Sequence, residues 1–544
     1  MDASSAAARA RRAGWRWRLA AAAGAGARRE TLVAAFGLAV LQAIIGLAYV
    51  RHGGFLYDDW AYASRAHFHG FSGLFSSELT QHPRRPLMAL YYATTNSLVG
   101  THQHLQLALA AAEHVAAAFA LFLVLRKVGL DLLSSGLAAS LYLVFPFADS
   151  VWLWATSGQI SLAVTLWLLG LLASSTGLEA ERRGRAWQAM AIALYVASVL
   201  LYELTLPAVV LGGALAFLRG PPRRAWRWWS AELVAIGLAV LLVTSRAIPL
   251  IHGHDVLAHQ GVRGTLDHAR QIGDQGTTLL AQALVPFGSP DRFAILAGAL
   301  LLAGIAASVA RYSSHARLAR DLLRWLAVAG VGLVFTFAGW LMLAPADDYY
   351  VPLQAGIGNR INAVAAVGIV IVLVAMIRIV SFVAFQGAEL RRLRAPAALS
   401  ALVGIAVAGA YLAHVGRDRG AYERAHVESS AVLAALRGEP PPPRAGTTII
   451  VRGFNLWAAP GVPVFAAHWD LKGAVRLLWN DPSLQGWPAP ANGLVCSPSG
   501  ASVATITPPG VKAPYGRLVQ VDLAAGTWVR VDRRAQCEAL ATSG

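Results

Sequence analysis

Long apolar runs alternating with short Arg-bearing polar segments set the pattern of this chain. A straight bilayer helix needs roughly 17 to 25 apolar residues, and seven runs reach or approach that length: 31–50, 104–125, 231–250, 293–310, 325–343, 361–383 and 397–415. Four shorter runs, 132–147, 160–173, 187–201 and 204–218, read as two closely turned pairs. The expected fold is an all-α polytopic membrane bundle of about eleven transmembrane helices. The segment 51–103 is too polar to span, but its stretches 59–71 and 86–99 have amphipathic content and read as short helices lying on the membrane interface. Between them Gln81-His82-Pro83-Arg84-Arg85-Pro86 forms a rigid basic turn, so the loop reads as a lid pressed on the membrane.

After the last run the pattern changes. A charged helical stretch at 417–437 leads to four prolines, Pro440 to Pro443. Short alternating apolar runs follow at 447–451, 462–466, 502–506, 518–521 and 528–531, separated by Gly, Pro and Asn. They predict a small soluble domain, β-rich or α+β. The expected organisation is a basic N-terminus at 1–30, a membrane domain at 31–415, a helix and Pro-rich linker at 416–443, and a soluble domain at 444–544.

Composition agrees with a membrane chain. The 544 residues are 56% hydrophobic and 14% charged, and the mean hydropathy is +0.51. The formal charge of +17 does not point to nucleic acid, because the Arg clusters fall between apolar runs. They fit the positive-inside rule instead, with Arg126/Lys127, Arg182/Arg183/Arg185, Arg223/Arg224/Arg227, Arg311 to Arg324 and Arg391/Arg392/Arg394 all on one side. A cytoplasmic N-terminus then puts 51–103, 251–292, 344–360 and the tail outside, in a multi-pass protein of the cell membrane. The Arg-rich first thirty residues and the long run behind them read as an uncleaved first span. Cys496 and Cys537 are the only cysteines, too few for a thiolate metal site, and can pair in an oxidising compartment.

Candidate chemistry begins at Gly54-Phe55-Leu56-Tyr57-Asp58-Asp59-Trp60, just past the first run. Adjacent carboxylates at a membrane rim are costly unless their charge is used. One could act as general base toward an acceptor hydroxyl while the other orients it or binds a cation; the plain alternative is a solvated loop cap. Asp149 and Glu203 lie at run ends on the same outer side, as substrate-site carboxylates or simple polar caps. A phosphate-bearing ligand would need cations, and Arg matches phosphate oxygens with its fork of donors. Arg84 and Arg85 with His82, and Arg360, stand on the correct side; Arg360 reads equally as an ion-pair partner of Asp347/Asp348 or a snorkelling anchor. His252, His254, His259 and His268, with Asp255 and Asp267, follow no fixed metal-ligand template and read as a flexible surface loop. The metal is therefore unassigned, and a divalent cation stays open.

The long first outer loop with its acidic pair and flanking short helices resembles the GT-C superfamily of polyprenyl-phosphate-sugar-dependent glycosyltransferases, which includes protein O-mannosyltransferases and lipid A aminoarabinose transferases. Leu143-Val144-Phe145-Pro146-Phe147-Ala148-Asp149-Ser150-Val151-Trp152 is similar to the family's Pro-containing stretch with a following acid and Trp, with Phe145 where His usually stands. Leu201-Tyr202-Glu203-Leu204-Thr205-Leu206-Pro207 is similar to its Lys-Glu turn, with Tyr202 in place of Lys. Asp58-Asp59 stands where the family has Asp-Glu, and the likeness covers roughly 31–220. It implies Asp58 as catalytic base with Asp59 supporting, inversion at the sugar carbon, a polyprenyl-phosphate sugar as donor, and an envelope glycan, lipid or protein as acceptor. Sugar and acceptor stay open. The rival readings are a lipid-linked-sugar flippase or transporter, and a non-catalytic membrane-anchored envelope assembly protein.

Overall fold

The computed structural model describes residues 3–180, 183–215, 222–247, 261–288, 291–312, 316–346, 350–385, 395–438, 443–490, 493–504, 506 and 511–542; for 3–27 and a few helix ends it describes the backbone only. In chain order the helices are α1 (Ala3–His52), α2 (Asp58–Gln81), α3 (Pro86–Val99), α4 (Gln103–Lys127), α5 (Leu132–Leu143), α6 (Ser150–Leu153), α7 (Gly158–Glu179), α8 (Gly184–Leu201) and α9 (Leu206–Ala214). They continue as α10 (Pro222–Ala247), α11 (Gly261–Leu284), α12 (Arg292–Tyr312), α13 (Ala316–Leu341), α14 (Ala363–Ala384), α15 (Ala395–Gly438), α16 (His468–Trp479) and α17 (Arg534–Thr542).

Among the described residues, nine helices are long and apolar enough to cross a membrane, and two apolar ones, Leu132–Leu143 and Glu203–Ala214, are shorter. Two short sequence runs lengthen to spanning size, as Ala155–Glu179 and Gly184–Leu201. Polar flanks join the first because Ser175 and Thr176 return their hydroxyls to Leu171 O and Leu172 O, each at 2.7 Å. Phe36 is 73% and Leu300 74% exposed, as expected of side chains that face lipid rather than a protein core.

Helices α13 and α14 pack backbone against backbone. A Cβ added at Gly368 would lie 2.3 Å from Thr336 N, and one at Gly339 would lie 2.4 Å from Ala365 N, so small residues let the two backbones touch. This contact anchors the short 3₁₀ turn Ile357–Asn362, which opens α14 and carries Arg360.

Three sequence expectations change. The stretch expected at 59–71 runs on as α2 to Gln81, broken at Gly70, whose φ of +63° suits glycine. The loop expected at 251–292 is not a flexible histidine loop where it is described: α11 occupies much of it, burying His268, Ile272, Gly276, Leu280 and Ala283 along one stripe. His252, His254, Asp255 and His259 lie outside the described residues, as do Asp347, Asp348 and Tyr349. Finally, the run at 397–415 and the charged stretch at 417–437 form one continuous helix, α15, of 44 residues. At 1.5 Å per residue it is roughly 65 Å long, about twice the hydrocarbon thickness, so its second half stands clear of the bilayer.

Beyond α15 the chain forms an α+β domain. Its four-stranded sheet has the order β4 (Gln485–Pro488), β1 (Thr448–Arg452), β7 (Leu518–Asp522), β8 (Thr527–Val531). Strand β1 runs parallel to both neighbours, and β8 closes the edge antiparallel to β7. The parallel β1/β4 pair requires a crossover, which α16 provides. Small hairpins β2 (Trp457–Ala459) with β3 (Val462–Pro463) and β5 (Leu494–Ser497) with β6 (Gly500–Val503) complete it, and Cys496 is joined to Cys537 by a disulfide.

Helix α16 also packs on α2, where Gly473 meets the backbone of Trp60: a Cβ there would lie 2.3 Å from Trp60 O. Gly473→Leu should therefore loosen this docking by roughly 1–3 kcal/mol. Limited trypsin digestion checks it, with cleavage at Arg444 expected to accelerate while the membrane helices stay protected.

Candidate active site

After α1 the chain turns through Gly53-Gly54-Phe55-Leu56-Tyr57 into α2. Tyr57 takes φ +49°, uncommon for a non-glycine residue, and its ring sits edge-on to Trp154 (centroids 6.1 Å apart) and Trp469 (5.3 Å). The two aspartates that follow diverge. Asp59 is 4% exposed: its Oδ2 accepts from Leu56 N at 2.9 Å, and its Oδ1 accepts from Thr156 N at 2.9 Å and from the Thr156 hydroxyl. Asp58 is half-buried at the first turn of α2, where the helix dipole favours negative charge. Its Oδ1 accepts from Trp469 Nε1 of α16 at 2.8 Å.

Burial pushes the Asp58 carboxyl up from the usual range, opposed by Arg360, the Trp469 N–H and Arg65. Burial raises Asp59 to about 7 against the donors of Thr156 and Leu56, and the neighbouring Asp58 charge adds to the rise. Asp59 is thus a backbone tie with its oxygens committed, and Asp58 is the carboxylate turned toward other groups.

Arg360, on the turn at Ile357–Asn362, is close enough to Asp58 for its charge to oppose the rise of that carboxyl. Two asparagines stitch that turn to the segment before α6: Asn359 Nδ2 donates to Asp149 Oδ1 (2.8 Å), and Asn362 Nδ2 donates to Phe147 O (2.8 Å). Ser150 donates its hydroxyl to Asn359 Oδ1 at 2.5 Å. The Arg360 guanidinium lies 5.1 Å from the centre of the Trp154 ring, a cation–π arrangement, and donates to Ile357 O at 2.5 Å. Trp154 in turn donates to Leu56 O at 3.1 Å, so Arg360, Trp154 and the acidic turn form one unit.

A chain of ionisable groups runs outward from Asp58. Arg65 faces Asp58 and is paired to the buried Glu78. Glu78 lies 3.9 Å from His82. Arg85 holds Glu203 through two hydrogen bonds of 2.5 Å each, with its guanidinium 4.5 Å from the centre of the Tyr202 ring. Burial raises Glu78 to about 7 and lowers His82 to about 4, the latter helped by the charge of Arg85.

The structure therefore brings Asp58, Asp59 and Arg360 together and pairs Arg85 with Glu203. Exposed Arg84 makes no ion pair among the described residues. Asp149 is 1% exposed and bonded to Asn359 rather than to the acidic pair; burial and the nearby Asp418 hold its carboxyl well above the usual range. Among the described residues no three His, Cys, Asp or Glu side chains converge as metal ligands. Sequence reasoning missed Trp469, 411 positions from Asp58 and without local signal. It missed Arg65 and Glu78 too, which meet across the break at Gly70.

No protein-family model matches the chain, and no curated protein matches it. The chain is similar to the crystal structure of ArnT from Cupriavidus metallidurans bound to undecaprenyl phosphate, at 11% identity and TM-score 0.41 over 82% of this chain and 84% of that one. It is similar also to the apo state of the same protein, at 13% identity and TM-score 0.35 over 82% and 85%.

The division of labour between the aspartates predicts unequal stability effects. Asp59→Ala strips the partners from Leu56 N and Thr156 N and should cost about 2–4 kcal/mol. Asp58→Asn keeps an acceptor for Trp469 and should move stability by less than about 1 kcal/mol. Thermal melting of the detergent-solubilised protein separates the two.

Proposed function

We propose that this protein is a membrane glycosyltransferase of GT-C type that moves a sugar from a polyprenyl phosphate to an acceptor hydroxyl outside the cytoplasmic membrane. The observation that carries the reading is the split of the acidic pair: Asp59 is consumed by three donors, while Asp58 faces Arg360 and is oriented by Trp469. The sequence resemblance over 31–220 supports the same assignment.

In this reading the acceptor oxygen attacks the anomeric carbon and Asp58 takes its proton. The bond to the phosphate oxygen breaks, and the lipid phosphate leaves with the electron pair, so the sugar carbon inverts. Arg360, fixed over Trp154, balances the charge that develops on the leaving phosphate. Arg85 already spends two donors on Glu203, so it shapes the site rather than holding the phosphate. A flippase would want charges at mid-bilayer, whereas these groups gather beyond the span ends. The C-terminal domain enters the site through Trp469, which is how a soluble tail would take part in catalysis.

Two variants test the proposal in membranes supplied with polyprenyl-phosphate sugars. Asp58→Asn should lower transfer about 10²–10⁴-fold with expression unchanged; undiminished transfer would remove Asp58 as the base. Trp469→Phe keeps a ring but loses the N–H that favours ionised Asp58. The carboxyl pKa then rises, so the acid limb of the rate profile should move to higher pH, with activity recovering above it. Loss uniform across pH would make Trp469 a purely structural contact.

A further inference from the structure

A cavity of about 480 Å³ lies among α4, α7, α13 and α14, lined by Leu125, Trp167, Leu171, Val331 and Phe335, with Arg324 the charged residue among its lining groups. It stands at the end of the bundle where α4 closes on Arg126 and Lys127, whereas Asp58 and Arg360 sit where α1 ends and α14 begins. From Arg324 to Phe335 the wall of α13 rises about 16 Å at 1.5 Å per residue, roughly half of the ~30 Å hydrocarbon core. The slot thus starts at one interface and stops near mid-bilayer.

The charges at its mouth are unevenly matched. Glu30 is held by Arg126 at 2.8 Å, Glu179 by Lys127 at 2.7 Å and Asp131 by Arg378 at 3.2 Å. Among the described residues Arg324 has no ion pair; its guanidinium donates to Gly129 O and keeps further donors for an anion. An apolar slot one leaflet deep beneath an exposed guanidinium with donors to spare matches a lipid whose head is anionic and whose chain is one leaflet long.

We infer that the slot binds an anionic glycerophospholipid, one acyl chain between α4 and α13 and its phosphate on Arg324. A polyprenyl chain, many times longer than the slot is deep, fits it poorly, so this site is separate from the proposed donor site. Bound lipid would fill the gap between four helices and brace α13, which packs on α14 and through it supports the Arg360 turn.

Native mass spectrometry of the full-length protein, titrated with phosphatidylglycerol, phosphatidylcholine or polyprenyl phosphate, tests this. Both lipids offer Arg324 a phosphate, but the choline cation opposes the guanidinium, so wild type should prefer phosphatidylglycerol over phosphatidylcholine by about tenfold. Arg324→Gln should bring the ratio near one, and Ala327→Trp, which fills the slot, should reduce binding of both phospholipids. Arg324→Gln alters only the rim and so gives an answer even where the larger change prevents folding. Equal wild-type affinities for the two phospholipids, a preference untouched by Arg324→Gln, or displacement of phosphatidylglycerol by equimolar polyprenyl phosphate would each overturn the inference.

Discussion

A carboxylate buried against an apolar bundle persists only if protein donors replace the water it has lost. Asp59 meets that condition with two backbone N–H groups and a hydroxyl, from Leu56 on its own turn and Thr156 on another segment. The rest of the site depends on this tie. It fixes where the chain leaving α1 enters α2, and with it the direction in which Asp58 and Tyr57 point. The Trp154 indole, bonded to Leu56 O, then gives Arg360 a face to rest on.

Around that tie most strong charges are already matched. Arg65 answers Glu78 across the break in α2, and Arg85 answers Glu203, so the first pair sets the bend of the loop 51–103 and the second ties that loop to the bundle. Partly buried pairs of this kind add little net stability, because desolvation offsets their attraction, but losing one partner is costly. Their value lies in geometry. Among the described residues they leave Asp58 with the directional donor Trp469, and with Arg360 as the first of the cations that oppose the rise of its carboxyl.

The C-terminal domain is part of this arrangement rather than an appendage. Continuous α15 carries it clear of the bilayer, the parallel β1/β4 pair forces the α16 crossover, and Gly473 lets α16 touch the backbone of α2. Trp469 reaches Asp58 only because these three features coincide. At the opposite end of the bundle Arg126, Lys127 and Arg378 are matched in the same way, while Arg324 at the slot has no ion pair among the described residues.

The chain's order of apolar and polar stretches determined a great deal: the helical membrane character, the acidic turn after the first span, and the small terminal domain. These follow from local composition, since a span, a rim and a turn each need their own residues in sequence. Local patterning could not separate the two aspartates, because adjacent residues look alike until each finds its partners. Nor could it show that Arg85 is spent on Glu203, that α11 is a helix despite its charges, or that a tryptophan 411 positions away orients Asp58. Those outcomes depend on contacts between segments distant in sequence, which only the packed chain brings within a few ångströms of one another.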